Sequence, residues 1–440
     1  MNPSKSKLSI ANAETAYLFR HALLRDAAYQ LQLPSERARL HLLALDLLEA
    51  LYAGPPPGPK PDSGGESRSE QHPIDSIAVE LAVHAHQARM GKARGPKLFE
   101  REILYLHRAA ERCERLGQPE SALGLWQACA DLMQGLEKSG ALRRAGIQAY
   151  QSGKLDQAKA LLSSALELAK AARDRTQEGL ALGNLALVHF DSGRIEEGEQ
   201  ALQAALAMHR EVGNHHAEGM GLGNLALLYQ ETGRLELAEK CYGQAGAILR
   251  ELSNRRAEGI LLGNLAILFR YAGRKAEAEQ TYEKALAILR ACGDRRSEGN
   301  TLGNLAIAYQ DSGRFELAER TFEQSLAIHR EVGNRRSQGV TLGNLASVYQ
   351  QTGRNDAAIQ MFEQALAIHS EVGNRRFEGA NRCTYALVLL KKGQNEQAKR
   401  CWQEGAAILR QLNDNAEIEI KRKEMHETCA KAGVPAFDEP

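Results

Sequence analysis

The pentapeptide LGNLA occurs five times in this chain of 440 residues, and each copy begins forty residues after the previous one. The copies begin at Leu182, Leu222, Leu262, Leu302 and Leu342. A fixed period of this length is typical of chains built from stacked copies of one supersecondary unit. Since a single unit cannot bury its apolar face alone, we expect an array in which each unit packs against its neighbours.

The repeat that begins at Ser297 indicates what this unit is. Its first apolar stripe follows the helical spacing i, i+3, i+4 and i+7 and consists of Leu302, Leu305, Ala306 and Tyr309. Gly313 is placed to end that helix, a second apolar helix follows, and Asn334 is placed to cap the next repeat. No proline lies between Pro119 and Pro435. The pattern therefore predicts helix hairpins and an all-α chain.

The hairpin resembles the tetratricopeptide repeat, whose pattern has large, Leu, Gly or Ala, and Tyr on one helix and Ala, Phe and Ala on the next. The matching residues are Leu302, Leu305, Ala306, Tyr309, Ala318, Phe322 and Ser325. The usual repeat has about 34 residues. The forty-residue form resembles the Leu-Gly-Asn adaptor proteins of spindle orientation and repeats of bacterial signalling proteins. This resemblance implies an all-α, right-handed superhelical solenoid of tetratricopeptide helix hairpins whose concave groove binds a protein or peptide partner.

A second resemblance covers roughly residues 14–131. The stretch FRHALLRDAAYQLQLPSERARLH, followed by VELAVHAHQA and YLHRAAERCERLG, resembles the helical segment after the nucleotide-binding module of bacterial signal-transduction ATPases. The chain itself has no G-x-x-x-x-G-K-[ST] phosphate loop. The resemblance implies an ATPase or cyclase module as a partner. It leaves open whether the chain is a stand-alone protein, a separately encoded sensor arm or a part of a larger ATPase.

Composition and periodicity divide the chain into six segments. We expect a capping helix to close the array with a polar outer face, and a stretch rich in proline, glycine and serine to remain disordered. The predicted segments are a flexible tail over 1–13, a helical block over 14–53, a disordered linker over 54–73, a helical region with a divergent repeat over 74–138, the repeat array over 139–416, and the capping helix and tail over 417–440.

Several classes of function are disfavoured. The formal net charge is +1 and aromatic residues make up 5% of the chain, which argues against a nucleic-acid partner. No apolar run reaches the ~20 residues of a membrane span and no signal peptide is visible, so we expect no membrane partner and a cytoplasmic location. Seven cysteines occur without a CxxC pair, and no hydrolase or metalloprotease motif is present. We expect no enzymatic activity, no catalytic residue, no metal site and no cofactor.

The asparagine of each LGNLA copy is the predicted binding residue. A turn of 100° per residue places Asn304 opposite the apolar stripe of its helix, on the face that lines the groove in tetratricopeptide repeats. An amide offers both donor and acceptor and can hold a ligand's backbone, while apolar neighbours take its side chains and acids favour a lysine or arginine. The predicted peptide-binding residues are Asn184, Asn224, Asn264, Asn304, Asn344, Leu227, Ile267, Ile307, Tyr271, Asp191, Glu231 and Asp311.

Three patterns leave alternatives open. The asparagines could instead bond the next repeat, because near-identical copies repeat structural residues as faithfully as functional ones. The glycines before them cost helix stability and indicate that a backbone, of ligand or neighbouring helix, comes close. Finally, arginine pairs recur at the start of four repeats, at 255–256, 295–296, 335–336 and 375–376. They are either exposed charge offset by neighbouring glutamates or a basic edge for an acidic partner.

Overall fold

A computed structural model describes residues 29, 32–52, 54–58, 69–93, 95 and 97–437. Nineteen α-helices and one short 3-10 helix account for most of these residues, and no β-strand occurs among them. The all-α prediction is therefore confirmed. The predicted tail over 1–13 and residues 59–68 of the predicted linker lie outside the described residues.

The chain divides into two compact units, Met1–Val212 and Gly213–Pro440. The described helices of the first unit are α1 (Pro34–Leu51), the 3-10 helix (Pro73–Ile77), α2 (Ala78–Met90), α3 (Leu98–Arg115), α4 (Pro119–Leu132), α5 (Gly135–Gln151), α6 (Leu155–Ala172), α7 (Arg175–Asp191) and α8 (Ile195–Glu211). Those of the second unit are α9 (His215–Glu231), α10 (Leu235–Glu251), α11 (Arg255–Tyr271), α12 (Lys275–Ala291), α13 (Arg295–Asp311), α14 (Phe315–Glu331), α15 (Arg335–Gln351), α16 (Asn355–Glu371), α17 (Arg375–Lys391), α18 (Asn395–Gln411) and α19 (Asn415–Ala432).

The helices of the second unit form hairpins, as the repeat predicts. Helix α13 and helix α14 pack against each other and are joined at Gly313, whose φ of +73° is a left-handed conformation that favours glycine. The Asp294 carboxylate caps α13 by accepting the backbone N–H of Ser297 at 3.0 Å. Asn334 caps α15 in the same way through Ser337. Helices α13 and α15 therefore begin at an Asx cap, and their hairpins turn at a glycine. Asn374, at the start of α17, makes no such side-chain cap.

Large side chains of the second helices fill the space between hairpins. Tyr282, Phe322 and Phe362 are completely buried at equivalent positions. Around them pack the predicted stripe residues of the first helices, including Leu302, Leu305 and Ala306, which are also buried. Burying such aromatic and aliphatic side chains stabilises each interface by about 1.5–3 kcal/mol per side chain. The core of the second unit is thus a row of similar clusters between neighbouring hairpins.

The first and second helices of the second unit have different neighbours. The first helices α9, α11, α13, α15 and α17 contact one another in sequence, and no comparable contact joins the second helices α10, α12, α14 and α16 within the described residues. The first helices therefore lie on the side where the hairpins are closest together. We call their solvent-facing surface, which carries Asn224, Asn264, Asn304 and Asn344, the inner face.

The observed helices cross some of the predicted segment boundaries. Helix α5 begins at Gly135, before the predicted start of the array at 139, and α19 begins at Asn415 rather than at 417. Residues 69–73, at the end of the predicted linker, are held against α3. The Ser69 N–H donates to Glu111 at 3.2 Å, and the buried Arg108 donates to the Glu70 carbonyl at 2.8 Å. A buried guanidinium needs such acceptors.

Candidate functional site

The five asparagines of the LGNLA copies occupy equivalent places on first helices. Asn184 belongs to α7 in the first unit, and the other four belong to the inner face of the second unit. All five side chains are half-buried. Residues Leu305 and Ala306, which follow Asn304, are buried against the core, so the asparagine is on the opposite side of its helix. The structure therefore brings Asn224, Asn264, Asn304 and Asn344 into one row.

None of these five amides makes a hydrogen bond with any residue that the structure describes. This distinguishes them from the cap asparagines, since Asn254 and Asn334 accept backbone N–H groups at 3.1 and 3.3 Å. An amide that had a purely structural role in joining repeats would be expected to bond a neighbouring helix. Each asparagine of the row thus keeps a donor and an acceptor available.

Two of the glycines before the asparagines lie close to a neighbouring first helix. A Cβ added at Gly223 would lie 3.2 Å from Leu261 Cδ1, and one at Gly263 would lie 3.4 Å from Thr301 Oγ1. Both neighbours belong to the next first helix. At Gly223 and Gly263 the close approach is therefore to a neighbouring helix, whereas a Cβ added at Gly183 would make only an ordinary contact, 3.8 Å, with Ala205 Cβ.

The apolar candidates flank the asparagine row. Leu227, Ile267 and Ile307 are half-buried, and the last two also touch the core clusters below them. Tyr271 is 60% exposed, and the Arg270 guanidinium stacks on its ring at 4.7 Å from the centroid. These side chains leave apolar surface available on the inner face beside each free amide.

The acidic candidates differ in how far they are already paired. The Asp311 carboxylate accepts a hydrogen bond from Arg270 at 2.8 Å, so its charge is compensated within the protein. Burial and a hydrogen bond to Asp191 both raise the pKa of the Tyr150 phenol. Glu231 is exposed. The expectation that these acids recruit a basic ligand residue is therefore weakest at Asp311. The arginine that pairs with Asp311 lies 41 residues earlier in the sequence, so no local sequence pattern predicts the pair.

The arginine pairs are mostly ion-paired inside the protein. Arg295 donates to Glu298 on its own helix at 2.6 Å and to Glu331 at the end of α14 at 2.6 Å. Arg335 bonds Glu371 in the same way. These first members of the pairs fasten the start of one helix to the end of the other, which agrees with the expectation that neighbouring glutamates offset their charge.

A different arginine series was missed at the level of sequence. Arg354 stacks on Tyr349 at 4.4 Å and donates to both oxygens of Glu319 in the preceding hairpin at 3.0 and 2.7 Å. Arg274 and Arg314 repeat the arrangement. The signal was present as a Gly-Arg dipeptide after each of the first helices α9, α11, α13 and α15, but the ion-pair partner of the arginine lies in the previous repeat.

Two negative findings bound the chemistry of the described residues. They contain no group of three or more His, Cys, Asp or Glu side chains placed to hold a metal ion. Within the same part of the chain, no helix is both long and apolar enough to cross a membrane.

A comparison with protein families identifies the type of repeat that forms these hairpins. The tetratricopeptide repeat model matches residues 177–251, 219–291 and 297–371. The chain carries tetratricopeptide repeats. The matched ranges include the second unit's hairpins from α9 to α16, and repeats of this type present extended binding surfaces. The prediction of a tetratricopeptide array is thereby confirmed.

Solved structures share the fold at low sequence identity. A signal transduction ATPase with numerous domains that carries a tetratricopeptide repeat sensor, from Pyrococcus horikoshii, is 16% identical with a TM-score of 0.53, over 78% of this chain and 55% of that one. The Rap conjugation gene regulator of the plasmid pLS20, solved in complex with the Phr* peptide, is 13% identical with a TM-score of 0.52, over 70% of this chain and 87% of that one. The chain thus spans about half the length of the ATPase. No curated protein matches the sequence.

Proposed function

We propose that this chain is a non-enzymatic protein-interaction scaffold that holds an extended peptide segment along the inner face of its second unit. The observation that carries the proposal is the row of half-buried asparagines whose amides have no partner among the described residues. An amide in this state offers a donor and an acceptor at once, which is what a peptide bond requires.

The spacing of the row suits an extended ligand. Packed helices lie about 8–10 Å apart, and an extended chain rises about 3.3 Å per residue. One asparagine therefore meets roughly every third residue of the ligand. Since the amides read the backbone alone, ligand selectivity would come from Leu227, Ile267, Ile307 and the exposed Tyr271 ring beside them.

A protein of similar fold supports this reading. The Rap regulator is described as a complex with a peptide.

The test replaces Asn224, Asn264 and Asn304 together by alanine. A library of displayed short random peptides is selected on the full chain, and the best binder is titrated against both proteins. Each amide pair contributes about 1 kcal/mol, so we expect affinity to fall at least about tenfold. The melting temperature should hold or rise, because alanine is the better helix former.

The matched control replaces three exposed amides of second helices, Gln244, Gln324 and Gln364, by alanine. This control should bind as the unmodified chain does. If the asparagine variant melts early and its binding loss merely follows unfolding, the asparagines are structural ties. If no peptide is selected above background, the chain is not a general peptide binder.

A second candidate function is the sensor or regulatory arm of a signal-transduction ATPase or cyclase. The likeness to an ATPase that carries a tetratricopeptide repeat sensor favours it, as does the sequence resemblance over residues 14–131. The test is to look for a nucleotide-binding frame beside this one and to measure its ATP hydrolysis with and without this chain. A rate that ignores the chain and its peptide would count against the sensor role.

A further inference from the structure

The second arginine of each pair is placed to reach the cap residue of the next first helix. Arg256 donates to Asp294 at 2.7 Å, and Arg376 donates to Asp414 at 2.6 Å. The partner lies 38 residues further along the chain in both cases. The Asp294 side chain is 7% exposed, and the charge of each of these two arginines is compensated by a carboxylate of the protein.

The two repeats between them have an asparagine where the aspartate would be. Asn334 stands opposite Arg296, and Asn374 stands opposite Arg336. The Asn334 side chain is used within its own cap, bonding the Ser337 hydroxyl at 2.9 Å and the Ser337 N–H at 3.3 Å. Arg336 makes only a long hydrogen bond, 3.3 Å, to the neutral Asn374 oxygen. Arg296 makes no hydrogen bond or ion pair with the described residues.

Nearby carboxylates do not supply the missing charge. Glu298 is bonded by Arg290 at 2.8 Å and by Arg295 at 2.6 Å. Glu331 is bonded by Arg295, and the equivalent glutamate of the next repeat is bonded by Arg335. Two exposed guanidinium groups on neighbouring repeats thus remain uncompensated.

Both groups stand at the edge of the inner face. Arg296 precedes Asn300 by four residues and Asn304 by eight, so the three share one side of α13. The eight residues between Arg296 and Asn304 correspond to about 12 Å along the helix. The Arg296 side chain and a glutamate side chain of a ligand held at Asn304 would largely span this distance if they extended toward each other. The N-terminal ends of α13 and α15 add their positive dipole ends to this edge.

We propose that Arg296 and Arg336 select an acidic residue in the peptide that the inner face holds. This inference rests on the proposed peptide function and names the chemistry that the ligand must have. Because neighbouring first helices are about 10 Å apart, each arginine meets its own acidic residue, and the two acids are about three positions apart in the ligand. The pairing of Asp311 with Arg270 weakens one competing preference for a basic ligand.

The chain itself offers the most informative variant, Asn334→Asp with Asn374→Asp. It places at both positions the carboxylate that Arg256 and Arg376 already have. It keeps the cap at position 334, since aspartate caps as well as asparagine, and it removes no cap at position 374, where the asparagine side chain accepts no backbone N–H of its helix. Both arginines remain present but become paired. The melting temperature should therefore stay the same or rise, and any loss of binding reports the charge alone.

The probe is the same library of displayed short random peptides, selected on the full chain. We expect the selected peptides to be enriched in Asp and Glu at two positions. The best of them should lose at least about tenfold in affinity on the Asn→Asp variant. The same peptide with its glutamates replaced by glutamine should bind the unmodified chain about as weakly as the acidic peptide binds the Asn→Asp variant. This neutral peptide should have the same affinity for the unmodified chain and for the Asn→Asp variant.

The outcomes separate this inference from the function on which it rests. Selected peptides that lose affinity on the alanine variant of Asn224, Asn264 and Asn304, but show no acidic enrichment, overturn the acidic preference and leave the groove standing. An acidic peptide that binds the Asn→Asp variant with full affinity also overturns it. If the unmodified chain selects no peptide at all, both proposals fall together.

Discussion

In the second unit, two buried histidines occupy a position that other repeats of that unit give to leucine, as the buried His209 does in the first unit. His329 and His369 are 1% and 0% exposed, and equivalent positions hold Leu249 and Leu289. Each ring lies beneath a glycine of the first helix, where an added Cβ would approach its Cε1 within 3 Å. Burial lowers the pKa of both imidazoles to about 4. Arg296 lowers the pKa of His329 further, whereas at His369 the raising effect of Glu378 opposes burial and Arg336 adds to the lowering. The rings are therefore neutral in the folded chain at neutral pH.

These histidines should make the second unit sensitive to mild acid. The unfolded chain takes up a proton near pH 6.5, whereas the folded chain resists it until about pH 4. The free energy of unfolding therefore has its full value above pH 6.5 and falls as the pH drops toward 4. At about pH 5, each histidine lowers it by about 2 kcal/mol. Denaturant unfolding at neutral pH and near pH 5 measures the difference. The double variant His329→Leu, His369→Leu should flatten it, and an unchanged slope would mean that other groups cause it.

At the same scale, the sequence predicted some site residues well and others poorly. The orientation of Asn304 followed from the apolar stripe of its own helix, because a helical period relates neighbouring residues directly. The pairing of Asp311 with Arg270 could not be predicted, since it joins two repeats through space. The free charge on Arg296 was hidden for the same reason, because it depends on what stands 38 residues later.

Within one element, helix α13 carries two glycines with different neighbours. A Cβ at Gly299 would lie 2.9 Å from the His329 ring and 3.0 Å from Ile328 Cγ2, both on the buried side. A Cβ at Gly303 would lie 3.4 Å from Ser325 Oγ, which is close to ordinary contact. The first glycine allows the hairpin to close, and the second is only mildly restricted.

The two glycines should therefore respond oppositely to alanine. We expect Gly299→Ala to destabilise the fold by about 1–3 kcal/mol, as overpacking of a core does. Gly303→Ala should be neutral or should stabilise by up to about 1 kcal/mol, because alanine is the better helix former. Chemical denaturation of the two variants side by side measures this. Equal destabilisation by both would show that the space between Gly303 and Ser325 is as restricted as that between Gly299 and His329.

The helices themselves were the most predictable feature. The Asx caps at Asp294 and Asn334 and the glycine turn at Gly313 stand where their local chemistry placed them. Local signals fail where an element depends on distant partners. The 3-10 helix from Pro73 to Ile77 is an example, because its Asp75 is held by the buried Arg108 on α3 at 2.7 Å.

For the molecule as a whole, contacts run between neighbours along the chain. Each hairpin of the second unit packs on the next, and α19 closes the series by packing on α17 and α18. Its buried residues include Ile418 and Met425, while Ile420 on the same helix is 56% exposed. In a chain of this kind, stability is a sum of repeat and nearest-neighbour terms, so a local defect should remain local.

Introducing a charge into the α19 interface tests this directly. Met425 is completely buried, and Met425→Asp places a carboxylate there without a partner, which costs several kcal/mol and should undock the helix. Hydrogen exchange followed by peptide should then show lost protection in α17, α18 and α19 and unchanged protection in α9 and α10, several interfaces away. Ile420→Asp, on the exposed side of the same helix, should leave all five helices protected. Loss of protection throughout the second unit in the Met425 variant would mean that its hairpins fold as one cooperative body, and the nearest-neighbour description would then be wrong.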